Sequence, residues 1–223
     1  MKILNLYACL GGNRYKWDEV AKVDVTAVEL DPEAARLYQE RFPNDKVVVA
    51  DAHQYLLDHY QEFDFIWSSP PCPTHSRTNF FLNAQGNIRY PDMMLYEEII
   101  FLKHFYKGKY VVENVIPYYE PLIPAKKRHR HLYWTNFNLP NELSKRQSPN
   151  MGCQEAGRKK NLSIGSELDI FCAFHDYDFR KYKGKQDIKK MYRNLVDYEA
   201  GKTILETALN IQRSNNTEQL TIL

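Results

Sequence analysis

Short apolar runs recur along the first half of the chain, and more polar segments lie between them. Residues 2–7, 23–30, 46–50 and 63–67 are rich in branched and aromatic side chains, which is typical of strands buried inside a sheet. Apolar residues at helical spacing follow the second and third runs. Strands that alternate with helices predict a mostly parallel sheet with right-handed crossovers.

Further elements follow the fourth strand. The pattern predicts a helix over 91–107 and strands at 109–112 and 131–134. Within this helix the apolar residues are expected to pack. Glu98 is expected to face solvent, because charged side chains are rarely buried without a partner.

The chain divides into three regions by pattern. Residues 1–136 carry the alternating strands and helices. Residues 137–186 lose periodicity and are interrupted by proline and glycine, and residues 187–223 begin with an amphipathic helix expected over 187–211. A length of 223 residues fits one domain with a small appendage. The predicted fold class is therefore α/β, with a mostly parallel, doubly wound sheet and a small irregular insertion.

Charge is distributed unevenly along the chain. Residues 1–120 hold 12 Lys and Arg against 17 Asp and Glu, a balance of −5, whereas residues 121–223 hold 18 against 11, a balance of +7. A basic second part favours contact with a polyanion. The alternative interpretation is a lysine-rich, solvated surface.

The four cysteines, Cys9, Cys72, Cys153 and Cys172, are widely spaced and lack the paired spacing of zinc sites. This favours free thiols in an intracellular compartment over a disulfide framework, and no metal is expected. No segment reaches the ~20 apolar residues of a membrane span, so no membrane contact is expected.

Cys72 directly follows the two prolines that end the fourth predicted strand. The carboxyl edge of an open α/β sheet is where such folds bind ligands, and the prolines restrict the backbone around the thiol. Cys72 is therefore a candidate functional residue. Its alternative role is that of a small buried apolar side chain.

The other strand ends also carry candidate ligand-binding residues. A turn of small residues at 8–12 follows the first strand, and a strand, glycine turn and helix together bring backbone N–H groups close to a nucleotide-like cofactor. Glu29 closes the second strand, where it could hold ribose hydroxyls, and Asp51 closes the third, where it could accept from an adenine amino group. The alternative for Glu29 is a charge at the N-terminus of the next helix, a role that Asp31 and Glu33 could already fill. The alternative for Asp51 is a helix N-cap.

Taken together and in this order, these segments resemble the signature motifs of the cytosine-C5 DNA methyltransferase family, in a compact phage or bacterial form. The matching segments are Tyr7-Ala8-Cys9-Leu10-Gly11-Gly12, Glu29-Leu30-Asp31, Asp51, Pro71-Cys72, Glu113-Asn114-Val115, Lys126-Lys127-Arg128-His129-Arg130 and Arg193-Asn194-Leu195-Val196. The resemblance implies a Rossmann-like class I methyltransferase fold. It also implies S-adenosyl-L-methionine as cofactor, with S-adenosyl-L-homocysteine as product.

The resemblance implies a role for each catalytic motif. Cys72 is expected to attack C6 of cytosine as a thiolate, and nearby cations are expected to favour that thiolate. Glu113 is expected to protonate N3, provided that burial raises its pKa, while Asn114 fixes the loop geometry. Arg130 is expected to donate to O2. Arg128 is expected to contact Glu113 or the Cys72 loop.

The resemblance also implies a cofactor site. Its expected residues are Tyr7, Ala8, Cys9, Leu10, Gly11, Gly12, Glu29, Leu30, Asp51, Ala52, Pro71 and Asn194. Two residues depart from the family pattern by replacing glycine. Cys9 is expected to crowd the methionine part of the cofactor, and Arg193 to narrow the pocket or touch the cofactor carboxylate.

DNA is the partner that the resemblance implies, contacted by the basic region 126–190 and the loop 77–90. Because chemistry at C5 and C6 needs both faces of the ring, the cytosine is expected to be extruded from the helix, with the polar loop 77–90 closing over it. Residues 137–186, a basic segment that includes Tyr177, Phe179 and Tyr182, are expected to form a short target-recognition region. The alternative for this segment is a basic surface loop with core aromatics.

We accordingly expect residues 1–136 to form the catalytic and cofactor-binding domain, and residues 187–223 to return to it. The chain is expected to act as a monomer in the cytoplasm of a bacterial or phage-infected cell, within restriction-modification. Two alternatives stay open: methylation of RNA cytosine or of another base on the same scaffold, and a catalytically weak relative that binds DNA.

Overall fold

The computed structural model describes residues 1–147, 149 and 164–211, apart from the side chains of 164–166. Within these residues, seven strands form one sheet in the order β3-β2-β1-β4-β5-β7-β6. The strands are β1 Lys2–Leu6, β2 Asp24–Glu29, β3 Lys46–Val49, β4 Phe65–Ser68, β5 Lys109–Val115, β6 Lys126–Arg128 and β7 His131–Thr135. The first five are parallel, and β7 and β6 complete the edge in antiparallel orientation.

Helices cover both faces of the sheet. They are α1 Pro32–Arg41, α2 Ala52–His59, α3 Thr78–Ala84, α4 Met94–Phe105, α5 Ile164–His175, α6 Ile188–Asn194 and α7 Tyr198–Ala208. One buried cluster joins α2 and α4 to alternate residues of the central strands, such as Leu4 and Ile66. The opposite face packs on α7 through Ile3, Phe65 and their neighbours. The predicted doubly wound α/β fold is confirmed.

Carboxylates at the ends of β2 and β3 begin the helices that follow. The side chain of Asp31 accepts from the backbone N–H groups of Glu33 and Ala34, and Pro32 occupies the first helical position of α1. Asp51 caps α2 by accepting from the backbone N–H of Gln54. These caps satisfy donors that a helix N-terminus otherwise leaves free, and so they fix where each strand ends.

Two predicted helices differ in the structure. No α-helix follows the glycine turn, because the chain there forms turns that lead into a short 3-10 helix, Trp17–Glu19. The helix expected over 187–211 is two helices, separated where Leu195 is extended and Asp197 caps α7. The break brings Val196 onto the glycine turn, where a side chain at Gly12 would meet the Val196 carbonyl at 2.4 Å.

Two segments expected to be irregular are helical. The loop 77–90 contains α3, and the aperiodic region contains α5. In α5, Leu168, Phe171 and Cys172 pack in one cluster at helical spacing, which explains the element. No helix among the described residues has the length and apolar character needed to cross a bilayer.

Candidate active site

A cavity of about 630 Å³ opens at the carboxyl ends of the five parallel strands. This volume is within the range of small-molecule sites. Most of the predicted site residues line it, namely Tyr7, Ala8, Cys9, Gly12, Glu29, Leu30, Asp51, Ala52, Pro71, Cys72, Glu113, Asn114 and Asn194. Residues from six separate segments therefore meet at one cavity. Five of these segments lie at or just after the ends of parallel strands, whose carboxyl ends lie along the same edge of the sheet.

Leu10 and Gly11 do not line the cavity. Leu10 is fully buried and packs with α1 and α6. Gly11 has a positive φ of 68°, and a Cβ there would meet the Phe42 ring at 2.3 Å. Both residues pack inside the turn, and their predicted contact with a cofactor stays a prediction.

The backbone of the glycine turn is strained at Tyr7 and Cys9. Their φ angles are 55° and 46°, in the left-handed region that favours glycine. The backbone N–H of Cys9 donates to Glu29 over 2.8 Å, which holds the turn against the end of β2. Burial raises the pKa of the Cys9 thiol to about 12, so this thiol is protonated at neutral pH.

Two carboxylates of the cavity lie at the ends of β2 and β3, on one side of β1. Glu29 accepts from the backbone N–H groups of Cys9 and Asp31 at 2.8 and 2.9 Å, and burial raises its pKa. Asp51 accepts from the N–H of Gln54 at 2.9 Å, so the N-cap role weighed from the sequence is real. Each carboxylate oxygen has a second lone pair, so both residues still have acceptor capacity toward the cavity.

Cys72 lies half-buried on the loop after β4, on the other side of β1. Burial, followed by the charge of Glu113, raises the pKa of its thiol to about 11. Arg130 acts in the opposite direction but more weakly. Arg130 therefore favours the thiolate, as expected for a nearby cation, but burial and the charge of Glu113 outweigh it, so the thiol is protonated at neutral pH.

Glu113 and Asn114 end strand β5 beside this loop. Glu113 is 6% exposed, and its Oε1 lies 3.6 Å from Nε2 of His131. Burial lowers the pKa of His131, so its imidazole is neutral at pH 7. The side-chain amide of Asn114 donates to the Pro70 carbonyl over 3.0 Å, and so joins β5 to the Cys72 loop.

Arg130 lies in the turn between β6 and β7, where its charge acts on both Cys72 and Glu113. It donates to the backbone carbonyl of Arg193 over 3.1 Å, which connects this turn to the end of α6. Burial lowers its pKa, although the group remains a cation. Its side chain therefore lies near the cavity without forming part of the lining.

Two other arginines do not occupy the predicted positions. Arg128 donates to the backbone carbonyls of Lys127, Leu139 and Pro140, so its predicted contact with Glu113 or the Cys72 loop is wrong. Arg193 forms an ion pair with Glu167 and is not part of the cavity lining. The prediction that it narrows the pocket is also wrong, because α5 supplies its carboxylate partner.

His75 is a cavity residue that the sequence reasoning missed. It is 1% exposed, its backbone N–H donates to the Cys72 carbonyl, and its Nδ1 lies 2.6 Å from the Tyr119 hydroxyl. Among the described residues, its Nε2 has no hydrogen-bond partner. Burial lowers its pKa. The available signal was its position three residues after Cys72.

Glu98 is the second residue that the sequence reasoning missed. The prediction that it faces solvent is wrong, because it is fully buried. Its carboxylate accepts from the Tyr7 hydroxyl at 2.6 Å and the Ser68 hydroxyl at 2.6 Å, and lies 3.2 Å from Nδ1 of His53. The hydrogen bond to Glu98 raises the pKa of His53. This network connects the ends of β1 and β4 beneath the cavity.

The segment expected to contact DNA contributes much of its charge to internal contacts. Phe179 is fully buried and Tyr182 is 6% exposed, as the alternative of core aromatics requires. Residues 158–160 lie outside the described residues. Several expected cations form ion pairs: Arg146 with Asp197, Arg180 with Asp169 and Asp178, and Lys181 with Glu40.

Comparisons with known proteins agree on a methyltransferase fold. The family model for C-5 cytosine-specific DNA methylases matches residues 1–116. A methyltransferase structure from Entamoeba histolytica, EhMeth, aligns over 94% of this chain and 98% of its own with a TM-score of 0.57 at 10% identity. A mutant DNMT2 structure from Spodoptera frugiperda is 25% identical over 51% of this chain and 35% of its own, with a TM-score of 0.37. No curated protein sequence matches the chain.

Proposed function

Because the chain belongs to the C-5 cytosine-specific DNA methylase family, we propose that it transfers a methyl group from S-adenosyl-L-methionine to C5 of cytosine in DNA. The observation that supports this most strongly is that Cys72 and Glu113 line one cavity with the carboxylates Glu29 and Asp51. The proposed nucleophile and acid lie at or just after the ends of β4 and β5 on one side of β1, and the carboxylates that would accept from cofactor hydroxyls lie at or just after the ends of β2 and β3 on its other side.

The residues present fit this cofactor. The cavity is large enough for a nucleoside, and the acceptors Glu29 and Asp51 suit ribose hydroxyls and an adenine amino group. Tyr7, Ala8 and Asn194 also line the cavity and would hold the amino-acid part. When bound, the cofactor supplies a methyl group on an electrophilic sulfonium.

Cys72 and Glu113 act as a coupled pair in this proposal. Attack by the Cys72 sulfur on C6 consumes a thiolate, and the ring nitrogen N3 gains a proton as electron density moves toward C5. The Cys72 thiol must lose one proton before it attacks, and N3 must gain one. In this proposal Glu113 takes the proton from the sulfur and delivers it to N3. Both residues line the same cavity, and the charge of Glu113 adds to burial in raising the pKa of the Cys72 thiol.

Arg130 stabilises the negative charge that develops at O2 of the base. Its partly buried guanidinium already acts on Cys72 and Glu113, and a hydrogen bond to the backbone of α6 restrains it. After methyl transfer, a base takes the C5 proton, the C5–C6 double bond re-forms and the bond from C6 to the Cys72 sulfur breaks, while N3 returns its proton to Glu113. Both ring faces are needed, so the target cytosine is extruded from the helix or already unpaired.

Bisulfite sequencing tests the proposal. Purified protein is incubated with unmethylated genomic DNA and S-adenosyl-L-methionine, and we expect cytosines in one sequence context to resist conversion. The Cys72→Ala variant is the matched control and should leave all cytosines convertible. Transcripts of the same sequences form a parallel arm. Protection confined to those transcripts would contradict DNA as the substrate, and protection in neither arm would contradict methylation at C5.

A further inference from the structure

The segment after the Cys72 loop exposes an unusual amount of apolar surface. Phe80 and Phe81 of α3 are 63% and 69% exposed, Ile88 and Tyr90 are 60% and 80% exposed, and Met93 is 53% exposed. We call these five residues the α3 patch. Large exposed apolar groups in one short segment indicate a contact surface, because single scattered ones are the norm for a soluble surface.

The α3 patch is held in place by local hydrogen bonds. The side-chain amide of Asn79 donates to the Pro73 carbonyl over 2.6 Å, next to Cys72. Beyond α3 the chain folds back, since the backbone N–H of Asn87 donates to the Leu82 carbonyl at 2.9 Å and that of Arg89 to the Asn83 side chain at 3.0 Å. These bonds join α3 to Pro73, which lines the cavity, and close the turn that follows the helix.

The charge around the α3 patch suits a polyanion. Residues 65–91 contain no acidic residue, although the chain has 28, and they include Arg77 and Arg89. The one carboxylate within the span of the patch is Asp92, which accepts from the backbone N–H of Met94. Both arginines are exposed, and neither forms an ion pair with another described residue. Cations next to exposed aromatic rings are the combination with which proteins hold unpaired bases and their phosphates.

We propose that the α3 patch binds nucleobases next to the target cytosine, with Phe80, Phe81 and Tyr90 stacking on bases that extrusion has unstacked. The inference rests on the proposed function, because that reaction creates unstacked bases at the mouth of the cavity. The phosphates on either side of these bases contact Arg77 and Arg89. A second protein is the less favoured occupant, because the surrounding charge is cationic.

The experiment measures binding of the whole protein to two single-stranded probes, oligo(dC) and an abasic oligonucleotide of equal length. The two probes carry the same phosphate charge, but only one offers bases. The double variant Phe80→Ser and Phe81→Ser should bind oligo(dC) about tenfold more weakly, with unchanged affinity for the abasic probe. Tyr90→Ser should weaken oligo(dC) binding in the same direction.

Two matched variants separate stacking from other effects. Ile100→Ser with Phe105→Ser removes exposed apolar groups from α4 and should leave both affinities unchanged. Arg77→Gln with Arg89→Gln should weaken binding of both probes and flatten the salt dependence, because fewer phosphate contacts remain.

Three outcomes overturn the inference. The first is equal loss for both probes in the phenylalanine variant, and the second is no loss for either. The third is a wild-type dimer in sedimentation that this variant converts to monomer, which would assign the patch to a second copy of the chain. Binding requires no methyl transfer, so failure of the proposed chemistry would leave a positive stacking result intact.

Discussion

The side-chain amide of Asn114 donates to the backbone carbonyl of Pro70 over 3.0 Å, in a fully buried contact. Asn114 follows Glu113 on β5, and Pro70 precedes the loop that carries Cys72. This hydrogen bond extends the pairing of β4 with β5 beyond Ser68 and Val112, and it helps to fix the spacing between the proposed acid and the proposed nucleophile. The Oδ1 atom of Asn114 also accepts from the N–H of Val115 at 2.9 Å, so the amide is held at both ends.

Asn114→Asp should impair methyl transfer more than it impairs folding. Aspartate keeps the acceptor for Val115 but places an oxygen against the Pro70 carbonyl, which moves the Cys72 loop. We expect kcat to fall at least about tenfold, because small misplacements at a reacting centre are costly. The free energy of unfolding, measured in urea, should fall by about 1–3 kcal/mol. Tyr110→Phe, on the same strand, is the control, and an equal kcat loss there would refute the argument.

The reactivity of Cys72 should keep rising with pH well beyond neutrality. Its thiol pKa is about 11, so the rate of alkylation by iodoacetamide should increase about tenfold per pH unit until that region is approached. Mass spectrometry of the labelled peptides separates Cys72 from Cys9. A rate that levels off near pH 8.5, as for an ordinary free thiol, would contradict the pKa.

Neighbouring charges should change this alkylation profile in opposite directions. Glu113→Gln removes a negative charge that raises the pKa of Cys72, so labelling at pH 8 should become faster. Arg130→Gln removes a cation that lowers the same pKa, so labelling should become slower. If the pH profile of Cys72 alkylation shifted in the same direction in both variants, burial alone would control the pKa of the thiol.

Cys9→Gly should stabilise the protein. The φ angle of 46° at this position costs an L-amino acid about 1–2 kcal/mol, and glycine avoids that cost at a backbone-entropy penalty of about 0.5–1 kcal/mol. We expect a net gain of about 0.5–1 kcal/mol in urea denaturation. Gly11→Ala should instead destabilise the protein, because the new Cβ would meet the Phe42 ring at 2.3 Å. A loss of stability in Cys9→Gly would show that the packing of the Cys9 side chain contributes more than the backbone strain costs.

The buried carboxylate of Glu98 should couple energetically to Tyr7. Tyr7→Phe removes one donor at 2.6 Å, and Glu98→Gln removes the charge that the hydroxyl partners. Each variant should lose about 1–3 kcal/mol of unfolding free energy, as expected when a buried polar partner is removed. The double variant should lose less than the sum by about 0.5–2 kcal/mol. Simple additivity, measured from urea midpoints, would mean that the network is not cooperative.

The strand ends could be predicted because the chemistry of the sequence and its periodicity agree there. Apolar runs located β1 to β5, and parallel strands place their carboxyl ends along one edge. Cys72, Glu29 and Asp51 follow directly from that geometry. The same periodicity also places Glu98 on the buried face of α4, at i+3 from Leu95 and i−4 from Leu102. Its charge alone favours an exposed position, and so the two signals conflict at this residue.

The positions of Arg128 and Arg130 could not be separated from local sequence. Their side chains differ because Arg128 lies in β6, opposite His131, whereas Arg130 lies in the turn that follows. That register depends on antiparallel pairing with β7, which a short charged run does not encode. The partner of Arg193 was equally inaccessible, because it comes from α5 across the fold.

Covalent capture on DNA tests the central claim most directly. DNA in which 5-fluorodeoxycytidine replaces deoxycytidine is incubated with the protein and S-adenosyl-L-methionine, because fluorine at C5 prevents the proton loss that releases the thiol. We predict a denaturant-resistant complex whose cross-linked peptide contains Cys72, absent with Cys72→Ser and much reduced with Glu113→Gln. A complex of equal yield with Cys72→Ser, or methyl transfer by that variant to ordinary DNA, would contradict the account.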